Sequence, residues 1–411
     1  MAGLQETPKG NRLHIGFFGR RNAGKSSTIN RIAKQKIALV SNVAGTTTDP
    51  VYKAMEILPI GPVMMIDTAG IDDVGDLGKL RIGKTKEVMG KTDIAVIVAD
   101  VEKGISEFEE SLIKTFSELG TPVIIALNQI DRVPDYQDKL EAVKKVWGEH
   151  VAAVSAETGE GFDELRNMLV SLVPEASEDV PFVGDLVEPG EVIVYCMPID
   201  TAAPKGRLIL PQVQALRDTL DHGAVALVAK ENELDRQIAN LKTPPALVVT
   251  DSQVFGLANK KTPADIKLTS FSILMARQRG DLESLVLGAE AIDTLKPGDH
   301  VLIAEACTHA CQAEDIGTVK IPNWLQKYVG GELKFTHYTG DSFPDDVSEY
   351  KLVVHCGACM INRKAMLWRQ RICREQGVPI VNYGVCIAKL HGILPRVLSP
   401  FPKLQKLVKG E

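Results

Sequence analysis

The sequence predicts an α/β chain of three successive domains, and three observations carry that prediction. From residue 13 to about residue 172, apolar strand-like runs alternate with amphipathic helical stretches, the pattern of a mostly parallel sheet covered on both faces. Acids, prolines and glycines without periodicity fill 175–190, which reads as a linker. Alternation resumes at Val192 and runs through a small segment, 191–262, into a larger one, 263–411.

In the first segment, 1–174, apolar runs predict strands at His14–Phe18, Val63–Asp67, Ile94–Ala99, Val123–Asn128 and Val151–Ser155. Helical periodicity lies between them at Lys25–Lys34, Leu77–Met89, Glu107–Leu119 and Gln137–Trp147, and a last helix, Gly161–Leu172, stops near Pro174. The second segment offers strands Val192–Ile199, Ala224–Ala229 and Ala246–Thr250, with helices at Pro211–Leu220 and Glu231–Leu241. It has no charged constellation of its own and reads as a scaffold or dimerisation unit. The third segment begins near Pro263, with strands at Lys267–Phe271, Val301–Ala304, Leu333–Thr336, Leu352–His355 and Pro379–Tyr383. No internal repeat or low-complexity tract is evident.

Composition narrows the class. The chain is 45% hydrophobic and 24% charged over 411 residues, with mean hydropathy near zero, as expected of a soluble globular protein. Met1 to Arg12 is polar and lacks the features of a signal peptide, and no run approaches the roughly 18 apolar residues of a spanning helix. The expectation is a cytoplasmic protein without a membrane partner. A net charge of −6 argues against nucleic acid as a partner of the whole chain, although Ile361 to Glu411 carries ten Lys or Arg against two Glu. Seven cysteines are too sparse and uneven for a disulfide framework; clustered cysteines in a reducing compartment point instead to metal or chemistry. Cys196, Cys373 and Cys386 read as core residues.

Gly19-Arg20-Arg21-Asn22-Ala23-Gly24-Lys25-Ser26 follows a predicted strand and opens a helix, the setting of a phosphate-binding loop. Contacts to the nucleotide are expected from Gly19, Asn22, Ala23, Gly24, Lys25, Ser26 and Ser27, with Lys25 bridging phosphates and the Ser26 hydroxyl on Mg²⁺. Four elements follow in order. Thr47, within Gly45-Thr46-Thr47-Thr48-Asp49, can complete the Mg²⁺ shell, and Asp67 and Gly70, within Asp67-Thr68-Ala69-Gly70, can serve Mg²⁺ and the γ-phosphate. Asn128-Gln129-Ile130-Asp131 supplies a carboxylate that accepts two N–H bonds from guanine, which specifies GTP, and Ser155-Ala156 closes the base pocket. Lys25, Thr47, Asp67 and Gly70 are the expected hydrolytic set.

Over residues 13 to about 174 this set resembles the translation-factor-like GTPases of the tRNA-modification and ribosome-assembly branch. The resemblance implies K⁺ activation through Asn22. Ile71 stands where Ras-like proteins carry a water-orienting glutamine, which implies slow intrinsic hydrolysis. Gln129 departs from the usual lysine of that motif.

The third segment carries Cys307-Thr308-His309 and, further on, His355-Cys356-Gly357-Ala358-Cys359, each after a predicted strand. In open α/β sheets, ligands collect where the carboxyl ends of strands meet a switch in strand order. Cys307, Cys356, Cys359 and one His suffice for structural zinc, whereas three thiolates would hold an iron–sulfur cube with one iron open. Spacing alone leaves both readings open.

Cys307-Thr308-His309, Glu314-Asp315-Ile316-Gly317, His355-Cys356-Gly357-Ala358-Cys359 and Asn382-Tyr383-Gly384 together resemble the FeFe-hydrogenase maturation GTPases, the HydF family. So do Pro204-Lys205-Gly206-Arg207 and Thr250-Asp251-Ser252-Gln253 in the middle segment. The resemblance implies a 4Fe-4S cluster in the third domain. It also implies a scaffold function: completing the diiron subcluster from a precursor and passing it to apo-FeFe-hydrogenase, with the radical-chemistry maturation enzymes as further partners. Candidates for the fourth iron position are Glu314, which is favoured, then His309, Cys311 and His355. The alternative reading is a ribosome- or tRNA-associated GTPase with a structural zinc domain.

Overall fold

The computed structural model describes residues 7–34, 41–43, 50–68, 85–173, 180–199, 208–307 and 315–410. The chain forms two compact units, Met1–Ala176 and Ser177–Glu411.

The first unit is built on a seven-stranded sheet. β1 (Leu13–Phe18), β4 (Gly61–Asp67), β5 (Ile94–Asp100), β6 (Val123–Asn128) and β7 (Val151–Val154) run parallel, close to where the apolar runs place them. Two strands went unforeseen, β2 (Ser41–Val43) and β3 (Val51–Ile57), which add antiparallel beyond β4. β3 interleaves Tyr52, Lys53 and Glu56 with apolar residues, so no apolar run betrays it. The order is β2-β3-β4-β1-β5-β6-β7, which leaves β1 and its following loop at the centre. Helices α1 (Lys25–Lys34), α2 (described over 85–90), α3 (Glu107–Glu118), α4 (Tyr136–Trp147) and α5 (Phe162–Ser171) connect the strands. Ile15, Phe17, Val96 and Val98 on one face and Phe18, Ala95 and Ile97 on the other are fully buried, as expected for a sheet covered on both sides.

The second unit contains two four-stranded sheets, both wholly parallel. The first comprises β8 (Val192–Cys196), β9 (Val225–Ala229), β10 (Leu247–Thr250) and β11 (Lys267–Ser270). The other comprises β12 (His300–Ala304), β13 (Lys334–Tyr338), β14 (Leu352–His355) and β15 (Ile380–Asn382). The strand at Lys267–Ser270, expected in the third segment, pairs instead with Leu247–Thr250 and completes the second sheet. In each sheet the first strand is flanked by the second on one side and by the third, then the fourth, on the other. The two sheets therefore repeat one topology that the sequence does not display. The crossovers include α6 (Leu210–Asp221), α7 (Leu234–Ala239) and α8 (Phe255–Lys261) in the second sheet. α9 (Phe271–Arg279) and α10 (Leu282–Leu287) lead into the third, which carries α11 (Ile321–Val329), α12 (Arg363–Glu375) and α13 (Tyr383–Leu390); α14 (Leu394–Val397) and α15 (Pro402–Lys409) follow. One hydrophobic core joins the two halves: Val194, Val248 and Leu268 belong to the same buried cluster as Val301, Val353, Val354 and Val381. Each side chain so buried contributes about 1.5–3 kcal/mol.

Candidate nucleotide site and cysteine cradle

The loop after β1 takes its shape from residues that tolerate a left-handed backbone: Gly19, Asn22 and Gly24 have φ of 138°, 63° and 95°. A Cβ at Gly19 would strike the Val98 carbonyl, and one at Gly24 the Asn128 amide. The loop therefore lies flat against the sheet ends, with α1 opening directly behind it. Lys25 Nζ donates to Gly19 O (2.8 Å) and Arg20 O (2.9 Å), folded back over the loop that it would serve. Ser26 Oγ donates to Asp67 Oδ2 at 2.5 Å, so the two candidate Mg²⁺ ligands, from α1 and the end of β4, already face each other. Ser27 is exposed in the first turn of α1.

The residues expected to recognise the base brace the same loop. Asn128 Nδ2 donates to Ala23 O (3.0 Å), its Oδ1 accepts from Ala156 N (3.1 Å), and Ser155 Oγ donates to Asp131 Oδ1 (2.5 Å). The departure at Gln129 has a structural counterpart: with φ of 72°, it donates from Nε2 to Asn22 O at 3.0 Å while its Oε1 accepts from Arg132 at 2.6 Å. The amide thus reaches the phosphate loop without bringing a charge. Sequence reasoning missed one contact. Arg20 Nε donates to Glu109 Oε1 at 3.0 Å, and Glu109, fully buried, also completes the capping box of α3 with Ser106. The Ser106-x-x-Glu109 spacing was the available signal. Thr47, Gly70 and Ile71 lie outside the described residues.

The second site forms in the third sheet. Its chain leaves β12 to one side for β13 and returns on the other side as β14, so a crevice opens at the carboxyl ends of β12 and β14. Cys307 follows β12, and Cys356 and Cys359 follow β14, on the two flanks of that crevice. Cys356 N donates to Ala304 O at 2.9 Å, which stitches the two loops together. The Cys356 sulfur in turn accepts from Ala306 N (3.1 Å) and Ala358 N (3.4 Å). Ala358, buried with φ of 59°, makes the turn that aims its amide at the sulfur. Burial pushes the Cys356 thiol up to about 12, with Cys359 and Cys307 adding to the effect and the two amides opposing it. Burial also raises Cys359, while Arg279 pulls it down. Amide donors aimed at a half-buried sulfur, with two further cysteines near enough to act on it, suit a thiolate neutralised by bound metal, so these residues could hold a metal or iron–sulfur group. Among the described residues, no group of three or more His, Cys, Asp or Glu side chains is gathered as a site for a single ion. His309, Cys311 and Glu314 lie outside the described residues.

The remaining motif residues knit this crevice to its surroundings. Asp315 Oδ1 accepts from Thr318 N at 2.8 Å and caps a π-helical turn, Ile316–Lys320. Gly317 in that turn sits on a buried pair, Tyr383 Oη donating to Glu305 Oε1 at 2.9 Å. Asn382 caps α13 through Val385 N (2.9 Å) and donates from Nδ2 to Ser272 O (2.9 Å) at the start of α9. Gly384 lies against Ser272, where a Cβ would come within 2.8 Å. His355 is fully buried, with Nδ1 2.8 Å from Cys356 O and Nε2 2.9 Å from Arg369 Nη1. Cys196, Cys373 and Cys386 are buried in the core, as their positions in the sequence led us to expect.

Three successive stretches of the chain match known family models. Residues 14–129 match a 50S ribosome-binding GTPase family model, 182–280 the hydrogen maturase F dimerization domain and 283–400 the hydrogen maturase F tetramerization domain. Among curated relatives, the chain is 35% identical over 161 residues to the tRNA modification GTPase MnmE of Prochlorococcus marinus, covering 38% of this chain and 34% of that one. It is 29% identical over 234 residues to GTPase Der of Campylobacter jejuni, covering 50% of each chain. The chain thus spans a third to a half of the length of these relatives. Similar solved structures include Aquifex aeolicus Era bound to GDP.AlF4⁻, at 19% identity and a TM-score of 0.35 over 53% of this chain and 92% of that one. The G domain of the T. maritima FeoB iron transporter matches at 24% identity and a TM-score of 0.31, over 39% and 99%. With a GTPase domain followed in order by both maturase-specific domains, the chain belongs to the hydrogen maturase F family.

Proposed function

We propose that the chain is a GTP-hydrolysing scaffold that holds a 4Fe-4S cluster on Cys307, Cys356 and Cys359. On this scaffold the diiron subcluster of FeFe-hydrogenase is completed and then delivered to the apo-enzyme. The observation that carries this reading is the convergence of the three cysteines on one topological switch point, with two amides aimed at the Cys356 sulfur. When bound, such a cluster supplies an iron with an exchangeable position. Glu314 is the residue we assign to that position, as a weak oxygen ligand that an incoming precursor can displace.

In the first unit, Lys25 and the loop amides hold the β- and γ-phosphates. Ser26, Asp67 and Thr47 serve Mg²⁺, Gly70 meets the γ-phosphate, and Asp131 selects guanine with Asn128, Ser155 and Ala156 shaping the pocket. Asn22 contributes to a K⁺ site. Apo-hydrogenase and the radical-chemistry enzymes that make the diiron precursor are the partners of this reading, and the cytoplasm is its setting. Among the described residues, no helix is long and apolar enough to cross a membrane. A homodimer fits the edge strand β9, where Val225 and Val228 are each 50% exposed beside the exposed Val213 and Leu220 of α6.

The test is iron and sulfide analysis of anaerobically purified protein, with its visible spectrum. A brown preparation with iron and sulfide is expected, and Cys356→Ser should remove both and abolish hydrogenase activation in a maturation assay. A colourless zinc-containing preparation overturns the cluster and favours a GTPase with a structural zinc domain.

A further inference from the structure

Among the described residues Arg369 is the largest fully buried side chain, 2% exposed, and it stands on α12 directly behind the cysteine loop. A guanidinium buried this deeply costs several kcal/mol unless its donors are matched. Here Nη2 donates to Gly340 O and Asp341 O, both at 3.0 Å, and the charge lies 5.2 Å from the Phe343 ring centroid. Nη1 lies 2.9 Å from His355 Nε2. A guanidinium carries donors only, so Nε2 must be the acceptor, and the proton of the neutral imidazole is therefore on Nδ1. Nδ1–H then donates to Cys356 O at 2.8 Å. Both ring nitrogens are committed, and the order is fixed from the arginine outward.

We propose that Arg369 and His355 are a positioning pair for the metal site: Arg369 locks the His355 tautomer, and His355 holds the Cys356 carbonyl so that its sulfur faces the crevice between β12 and β14. The inference rests on the cysteines being metal ligands, and it removes His355 from the candidates for the fourth iron position. It also gives the buried charge a use. A cluster on three thiolates is anionic, and a fixed cation behind the loop favours its reduced state. The Gly340–Asp341 loop, which follows β13, is tied to the same guanidinium, so the ends of β13 and β14 share one anchor.

The tautomer is tested without iron, by histidine ring-nitrogen NMR on full-length iron-free protein. The Nδ1–H form is expected for His355, and an Nε2–H or doubly protonated ring overturns the lock. This outcome is separate from the cluster assignment, which fails only if the wild type retains no iron and sulfide. In reconstituted protein, Arg369→Met should weaken iron retention against a chelator by about 10- to 100-fold, the usual effect of losing an outer partner of a ligand. It should also shift the cluster midpoint potential negative. Arg369→Lys, which keeps charge and a donor, should restore most of both and controls for folding. His355→Asn, which places an amide donor near the position of Nδ1, should keep iron close to wild type, whereas His355→Leu should not. Directly bound nitrogen in the pulsed electron spin resonance of the reduced wild type, lost in His355→Asn, would make His355 a ligand and overturn the proposal.

Discussion

Replacing Gly317 by Ala tests how tightly the turn after the first cysteine loop is seated. Its backbone accepts Ala, since no left-handed φ is needed, yet an added Cβ would lie closer than 3.0 Å to both Tyr383 Oη and Glu305 Oε1. Those atoms share a 2.9 Å hydrogen bond and belong to residues 8% and 6% exposed. Making room means opening that bond, which costs about 1–3 kcal/mol for a buried polar group left unmatched, or moving the turn, at about 1–3 kcal/mol for overpacking. Against this, Ala gains up to about 1 kcal/mol over Gly in helical backbone. A net loss of about 1 kcal/mol, and at most about 3, is expected. Urea unfolding of the full chain, followed by the fluorescence of Trp324 and Trp368, reads it out. On a Tyr383→Phe background, where the hydroxyl is gone, the same substitution should cost at least about 0.5 kcal/mol less. A neutral or stabilising Gly317→Ala, or strict additivity with Tyr383→Phe, would refute the reasoning.

Three further outcomes are expected. Lys25→Ala should lower GTP hydrolysis by at least about 100-fold, measured as phosphate release, with iron content unchanged because Cys307, Cys356 and Cys359 lie in a different compact unit. Hydrolysis should be faster in K⁺ than in Na⁺ and lose that preference in Asn22→Ala; equal wild-type rates in both salts would contradict the cation site. Burial pushes the Cys373 and Cys386 thiols from 9.0 up to about 12. The unfolded chain therefore gives up these protons near pH 9 while the fold keeps them to about pH 12. Stability of the iron-free protein is then fully present below pH 9 and falls above it, by up to about 1.4 kcal/mol per pH unit for each thiol. Cys386→Ala should flatten that slope in urea titrations between pH 8 and 10.5, and an unchanged slope would count against the burial argument.

The sequence by itself determined the order of elements and the chemistry available to each loop. Buried parallel strands need unbroken apolar runs, so β1, β5, β6, β12 and β14 were legible to within a residue or so. Phosphate loops need glycine where the backbone turns left-handed, so Gly19 and Gly24 announced themselves. Clustered cysteines likewise drew attention to the loops after β12 and β14. Local pattern does not encode partners distant in the chain, and there the tertiary structure decided. It assigned Lys267–Ser270 to the second sheet, because a short strand carries no label for the neighbour it will pair with. It revealed that the second and third sheets share one topology and one core, because strand order is set by packing rather than by sequence similarity. It gave Gln129 a contact with the phosphate loop across 107 positions of chain. It also set His355 beside a buried arginine fourteen residues on, a contact that no local pattern announces.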